Sequence, residues 1–363
     1  MRRCPDCGFP RRFARFMEWH SDGTIVGSVK PKIPVMFLEV SEWDSIYDTL
    51  ADAIGAPIEH IVIEAQKYIG KDLYAMVRAL YWNIDARRVP NNRFLRPQWL
   101  ARLIVAGMGN DLAGLGAGRV RVESYVAGDH LSLRFSDPCM IPMVVGNCLG
   151  IYESVEQMDG SKATHRLEDG ELVVHMTHAE GKPESEERLF LEEVEGGTGP
   201  LSFQRCGRCG VPVPMCRSVA WDLSKGIIRN PRTWEREEMV AVQSINSILR
   251  ELERELGEDV IRIVYDAQKA YSRRRLEGSG RDDPASFWEE YLTGMALRGL
   301  GYPLRFETSP SSVTVEIHNA YNQDLYAAKV AAGLEAVTGS VADIEWQTRD
   351  RRCDVYTVTA GRG

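Results

Sequence analysis

Cys4-Pro-Asp-Cys7-Gly8 near the start of the chain and Cys206-Gly-Arg-Cys209-Gly210 past its middle are the residues whose types and spacing could do chemistry. Two thiolates two residues apart can both face one ion, and the glycine that follows lets backbone amides point toward the sulfurs. Each turn brings two sulfurs, whereas zinc in structural sites is four-coordinate. If the turns meet, Cys4, Cys7, Cys206 and Cys209 close one shared site. With sulfur in all four positions the ion has no place for a reactive water, so its role is structural. His20 and Cys216 are rival ligands for separate local sites, but their equivalent positions hold Asp222 and Ala14, so separate sites would need different ligand sets. A rubredoxin-like iron centre uses the same four ligands, yet no nearby flavin or haem motif offers it a redox partner. Structural Zn2+ is therefore the expected cofactor, with four free thiols at turns as the plain alternative.

The elements that position these turns repeat. At one offset of 202, Cys4, Cys7, Gly8, Trp19 and Ile25 fall on Cys206, Cys209, Gly210, Trp221 and Ile227, and Ala65-Gln66-Lys67 falls on Ala267-Gln268-Lys269. At an offset of 182, LSLRFSDPCMIPMVVGNCLGIYESV (131–155) lies over VTVEIHNAYNQDLYAAKVAAGLEAV (313–337), sharing Glu153 and Glu335. The chain thus reads as a tandem duplication whose second copy is shorter in its middle. Residues 1–178 form repeat 1 (knuckle 1–27, remainder 28–178), the acidic and then glycine-rich stretch 179–202 is a linker, and residues 203–363 form repeat 2 (knuckle 203–229, remainder 230–363).

Within each copy, β-forming residues flank an Asp-Gly or Lys-Gly turn, which predicts a hairpin behind each knuckle. Ser41 and Asp44 can cap a helix whose Ile46, Tyr47, Leu50 and Ile54 share a face. Two strands, a small-residue helix and a final hairpin follow. The expected fold is α+β: two repeats, each with helices covering one face of an antiparallel sheet, arranged as a pseudo-twofold intramolecular dimer.

Composition narrows the function. The 363 residues are 44% hydrophobic and 26% charged, as in a soluble globular protein, and the net charge of −8 argues against nucleic acid. Arg2, Arg3, Arg11, Arg12 and Arg15 read as a solvated basic face. No apolar run approaches the roughly 18 residues a membrane span needs, and the N-terminus lacks a secretory signal's apolar core. Eight cysteines, four of them in two close pairs, suit metal ligation in a reducing cytoplasm better than a disulfide scaffold.

The second part of each copy, SSVTVEIHNAYNQDLYAAKVAAGLEAVTGS with DIEWQTRDRRCDVYTVT and its counterpart over 131–178, resembles the four-vinyl reductase, or hydrocarbon-binding, domain family, related in fold to the vesicle-tethering TRAPP subunits. The shared plan is a strand, a short polar break, a helix with closely spaced Ala327, Ala328, Ala331, Ala332 and Gly333, and a closing hairpin. The resemblance implies a small apolar or aromatic ligand held between sheet and helices, and a habit of dimerising that internal duplication satisfies. The family's cysteine pair at the last hairpin is not matched, since only Cys353 remains. The knuckles lie outside the resemblance.

A pocket under the small-residue helix would draw on Cys139, Met143, Cys148 and Tyr152 in the first copy, with Met140 beside them, and on His318, Tyr321 and Tyr326 in the second. Core packing is the competing reading for each of these residues. His175 and His178 lie three apart in a strand and point to opposite faces, and the glycine-rich 107–118 matches no nucleotide fingerprint. The expected function is a zinc-stabilised cytoplasmic protein that binds a small hydrophobic or aromatic molecule as a sensor, carrier or metabolic accessory. An enzyme or enzyme subunit acting on an aromatic or tetrapyrrole-type substrate, and a protein-interaction scaffold, are the alternatives. A protein partner or homodimer is open; nucleic acid and membrane are not expected.

Overall fold

Alternating apolar residues and well-marked helix ends set the elements. The computed structural model describes residues 2–28, 32–81, 107, 109–158, 160–180, 196–280, 282–350 and 352–361. In the first half these are α1 (Arg11–Phe16), β1 (Met17–Trp19), β2 (Ile25–Gly27), β3 (Pro34–Glu39), α2 (Val40–Ile54), α3 (Glu59–Tyr81), β4 (Arg119–Val126), β5 (His130–Ser136), α4 (Ile141–Glu156), β6 (Ser161–Glu168) and β7 (Glu171–His178). The second half has α5 (Val213–Ser218), β8 (Ala220–Asp222), β9 (Ile227–Arg229), β10 (Arg236–Ala241), α6 (Val242–Leu256), α7 (Asp259–Arg275), α8 (Pro284–Leu297), β11 (Tyr302–Ser309), β12 (Ser312–His318), α9 (Gln323–Thr338), β13 (Ala342–Asp350) and β14 (Cys353–Ala360).

The architecture is mixed α+β, with antiparallel sheets and helices packed on them. Each half carries a four-stranded sheet, in the order β4-β5-β7-β6 and β11-β12-β14-β13. In β12 the inward residues Val313, Val315 and Ile317 alternate with half-exposed polar neighbours, the pattern of a sheet with one covered face. A third sheet of six strands joins the halves in the order β1-β2-β3-β10-β9-β8. At its centre β3 and β10 run antiparallel, with Phe37 opposite Met239. The knuckle sheet therefore extends past residue 27, because β2 pairs with β3. Linker residues 181–195 lie outside the described residues. The stretch after them lies along the first hairpin turn, where Gly197 and Gly199 donate to Asp22 and Ser21.

The helices exchange partners. Helix α2 of the first half packs on α7 of the second, and α6 of the second packs on α3 of the first. One apolar core consequently mixes Trp43, Ile46 and Leu50 with Ile248, Leu252, Trp288 and Tyr356. Asn322 caps α9 by accepting from the Leu325 amide at 2.9 Å, and Gly339 ends it in the left-handed region. The cap expected at Ser41 and Asp44 does not form, because α2 already begins at Val40. Ser41 sits inside the first turn and donates to Glu235 at 2.8 Å instead.

The small residues of α4 are there for close approach. A Cβ on Gly150 would stand 1.9 Å from the Lys67 carbonyl oxygen, and one on Gly146 2.4 Å from that of Ile63. Both obstacles are backbone of α3, so no side chain can swing aside. Gly150→Ala is expected to push α4 off α3 and to destabilise the chain by about 1–3 kcal/mol, outweighing alanine's gain of about 1 kcal/mol in helix propensity. Urea unfolding followed by circular dichroism checks this; an unchanged midpoint would contradict it.

Candidate metal centre and apolar chamber

Each knuckle is folded by its own backbone. The Cys4 amide donates to the Phe9 carbonyl at 2.8 Å and the Gly8 amide to the Cys4 carbonyl at 2.9 Å; Cys206 with Val211 and Gly210 with Cys206 repeat this at 2.9 Å. Gly8 and Gly210 have φ of 74° and 78°, the left-handed region in which glycine is unstrained. The knuckles then grip each other's half. Arg205 donates to the Trp19 carbonyl at 2.6 Å and Arg3 to the Trp221 carbonyl, while Phe9 packs edge-on against both indoles.

This brings the four sulfurs together. Cys4 and Cys206 lie 3.9 Å apart and Cys7 and Cys209 3.4 Å, with all four ligand atoms within 4.8 Å of one another and none in a disulfide. A tetrahedral ion with metal–sulfur bonds of about 2.3 Å holds its sulfurs roughly 3.8 Å apart. The cluster thus has the donor set and spacing to hold one metal ion. Backbone amides of Arg208 and Cys209 aimed at its sulfur lower the Cys206 thiol to about 7. Burial pushes Cys7 up to about 12 and raises Cys209 as well. Four thiolates so close do not coexist without a cation, and metal binding would expel the remaining protons.

The rival ligands are not among the four that converge. His20 faces Glu18 at 3.5 Å. Cys216 shares a hydrogen bond with Cys7 but is not one of the four converging ligands. Of the N-terminal arginines, Arg12 pairs with Asp111 at 2.6 Å, so this face is partly engaged within the chain.

The two sequence matches noted separately, Ala-Gln-Lys and the shared glutamate, meet in space. Lys67 and Lys71 reach Glu153 at 3.1 and 2.8 Å, and Lys269 and Arg273 reach Glu335 at 3.3 and 3.5 Å. Lys67 and Glu153 have side chains 1% and 0% exposed, so each needs the other. Burial alone would raise Glu153, but the hydrogen bonds from Lys71 and Ser161 and the charge of Lys67 hold it below its ordinary value.

Beneath α4 lies a chamber of about 100 Å³. Met143, Asn147 and Cys148 of α4 face it, with Ile69, Phe135 and, from the other half, Met239 across from them. Asn147, Ser244 and Glu238 are its polar groups, and the Asn147 Oδ1 is buried without a hydrogen-bond partner among the described residues. Burial pushes the Glu238 carboxyl up to about 7, and the Cys139 thiol lies 3.1 Å from it.

Met143 and Cys148 are thus the sequence candidates that line the chamber. Cys139 lies behind Glu238, its thiol raised well above the usual range by burial, which leaves it a poor nucleophile. Met140 packs in the core shared by both halves. Tyr152 is buried in the first half's sheet core and donates to the Asp129 carbonyl at 3.2 Å. In the second half Tyr326 stacks on Tyr356 at 5.5 Å, Tyr321 is buried in the same core, and His318 ends β12 opposite Tyr302 and Cys353. Asn147, Ser244 and Glu238 were not singled out from sequence, and Met239, expected on the apolar face of a helix with Val242 and Ile245, lies in β10 instead. The first two had a signal: at the repeat offsets they fall on Lys329 and Glu42, a neutral pair against an opposite-charge pair.

Among the described residues, no helix is long and apolar enough to cross a membrane. Comparison with protein-family models, with curated proteins and with solved structures returned no match.

Proposed function

We propose that the chain is a tandemly duplicated binding protein, clamped by one structural zinc ion, that holds a small hydrophobic or aromatic molecule in the chamber under α4. The binding reading is carried by one observation: the chamber lies beneath the small-residue helix, where the resemblance to the hydrocarbon-binding domains expects a pocket. An apolar hollow loses packing contacts unless something fills it, so its retention favours an occupant. The duplication is supported by the six-stranded sheet, whose central pair, Phe37 and Met239, are themselves 202 residues apart. The reciprocal arginine–tryptophan contacts and the two lysine–glutamate clusters support it too. Where a homodimer would oppose like groups, Asp6 faces Arg208 at 3.2 Å, a pairing open to a single chain. Eight unpaired cysteines fit a reducing, cytoplasmic setting.

Native mass spectrometry of the purified full chain tests this. The expected spectrum carries the mass of one zinc ion and of a small organic molecule that leaves on denaturation. A chain that retains metal alone, and takes up no aromatic compound from a panel offered at millimolar concentration, would remove the binding reading.

A further inference from the structure

We infer that the two halves have diverged, so that the first keeps its chamber as the one small-molecule site of this region, while the corresponding position beneath α9 of the second is plugged by side chains from both halves. The inference rests on the duplication and binding reading proposed above, and three pairs of residues carry it. Asn147 and Ser244 line the chamber; their counterparts are Lys329 and Glu42, which form a buried ion pair at 2.6 Å. Val35 and Leu115 line it too; their counterparts are Glu237 and Arg298, joined at 2.9 Å. Leu115 is matched through Gly116-x-Gly118 falling on Gly299-x-Gly301, which shifts the offset to 183. Ile69 and Ala241 are the third pair, and their counterparts Tyr271 and Glu39 share a hydrogen bond of 2.6 Å.

Each pair comes to the chamber from two different parts of the chain, and Asn147 with Ser244 and Ile69 with Ala241 each join the first half to the second. In the plugged position the longer, oppositely charged or hydrogen-bonding side chains span that gap. A fourth exchange completes the plug. Ile151 of the chamber corresponds to Gly333, and a Cβ there would come 2.7 Å from the ring of Trp288. The indole thus occupies the room the missing side chain leaves. Interior charges persist only when partnered, so Glu42, Glu237 and Lys329 make sense as a set and not as single drifts.

The chamber, by contrast, has no Lys or Arg among its described lining residues. Its occupant is then a compact, uncharged and mostly apolar molecule, bound at one per chain, whose single polar group meets Asn147, Ser244 or Glu238.

Diffraction from crystals of the full chain under xenon pressure counts apolar chambers without needing the natural ligand, since xenon enters dry cavities. The expected result is xenon, or a co-purified molecule, beneath α4 and none at the position between Glu42, Lys329 and Trp288. Xenon at the second position, or nothing at the first, would overturn the inference. Asn147→Lys/Ser244→Glu, which copies the plug, should abolish the first site, as should the purely apolar Ser244→Leu if the charged variant does not fold. Persistence of the site in a folded variant would contradict the role given to these residues. A chain that takes xenon on one side only, yet retains no organic molecule, would keep this asymmetry and remove the binding reading.

Discussion

Cys206→Ser is expected to drop bound metal from one ion per chain to near none and to destabilise the protein by on the order of 5 kcal/mol. Structural zinc contributes about 10–16 kcal/mol of apparent binding energy in small peptides, and metal loss is among the few single changes that exceed about 4 kcal/mol. The size follows from where the site stands. Its ligands come from both halves, and the sulfurs sit over a core of Phe9, Trp19, Val211, Met215 and Trp221. Without the ion, four converging sulfurs, two buried and two half-buried, face one another with no charge to hold them, so the knuckles lose the tie between them. Excess chelator should reproduce the variant's unfolding curve. Cys353→Ser, at a buried thiol 3.3 Å from Glu316 and outside the cluster, should leave the metal content unchanged. Elemental analysis with urea unfolding checks both; equal loss of metal in the two variants would contradict the assignment.

Lys329→Met has the next largest expected effect, a loss of about 3–5 kcal/mol. Lys329 and Glu42 are 8% and 7% exposed, and among the described residues Lys329 supplies the one hydrogen bond at the Glu42 carboxylate. Removing the lysine leaves a carboxylate in the core shared by both halves. Burial already raises Glu42 above its ordinary value even with Lys329 beside it, and loss of the cation raises it further. The folded variant therefore holds a proton that the unfolded chain, with its carboxyl near about 4.3, gives up. Its stability should consequently rise as pH falls from 7 toward 5, while neighbouring groups are unaffected. Glu42→Leu/Lys329→Met removes both charges and should recover most of the loss. Urea midpoints across that pH range measure these effects; a Lys329→Met variant as stable as the parent would show that the pair is not holding α2 against α9.

The knuckles were legible because a metal turn is local: two cysteines, a spacing and a glycine state the chemistry within five residues. The closing sheet of each half was legible through alternation, as in Val313, Val315 and Ile317. The six-stranded sheet was hidden, because β10 reads Arg-Glu-Glu-Met-Val-Ala and two glutamates obscure a buried strand. Arg298 and Cys139, both far along the chain, are what let Glu237 and Glu238 lie inside. The exchange of α2 and α6 between halves left no mark either, since an apolar helix face does not say which helix will cover it. Lys67 and Glu153 each appeared as a repeat match, but only the fold joins them. The chamber was legible to its helix and not to its walls, part of which arrives from β10 and α6 in the second half of the chain.

The central claim is that both halves grip one ion through four sulfurs. X-ray absorption at the zinc edge, with elemental analysis of the same sample, tests it most directly. One zinc per chain with four sulfur neighbours at about 2.3 Å is the expected result. Two ions per chain, or nitrogen or oxygen in the coordination shell of a single ion, would contradict it.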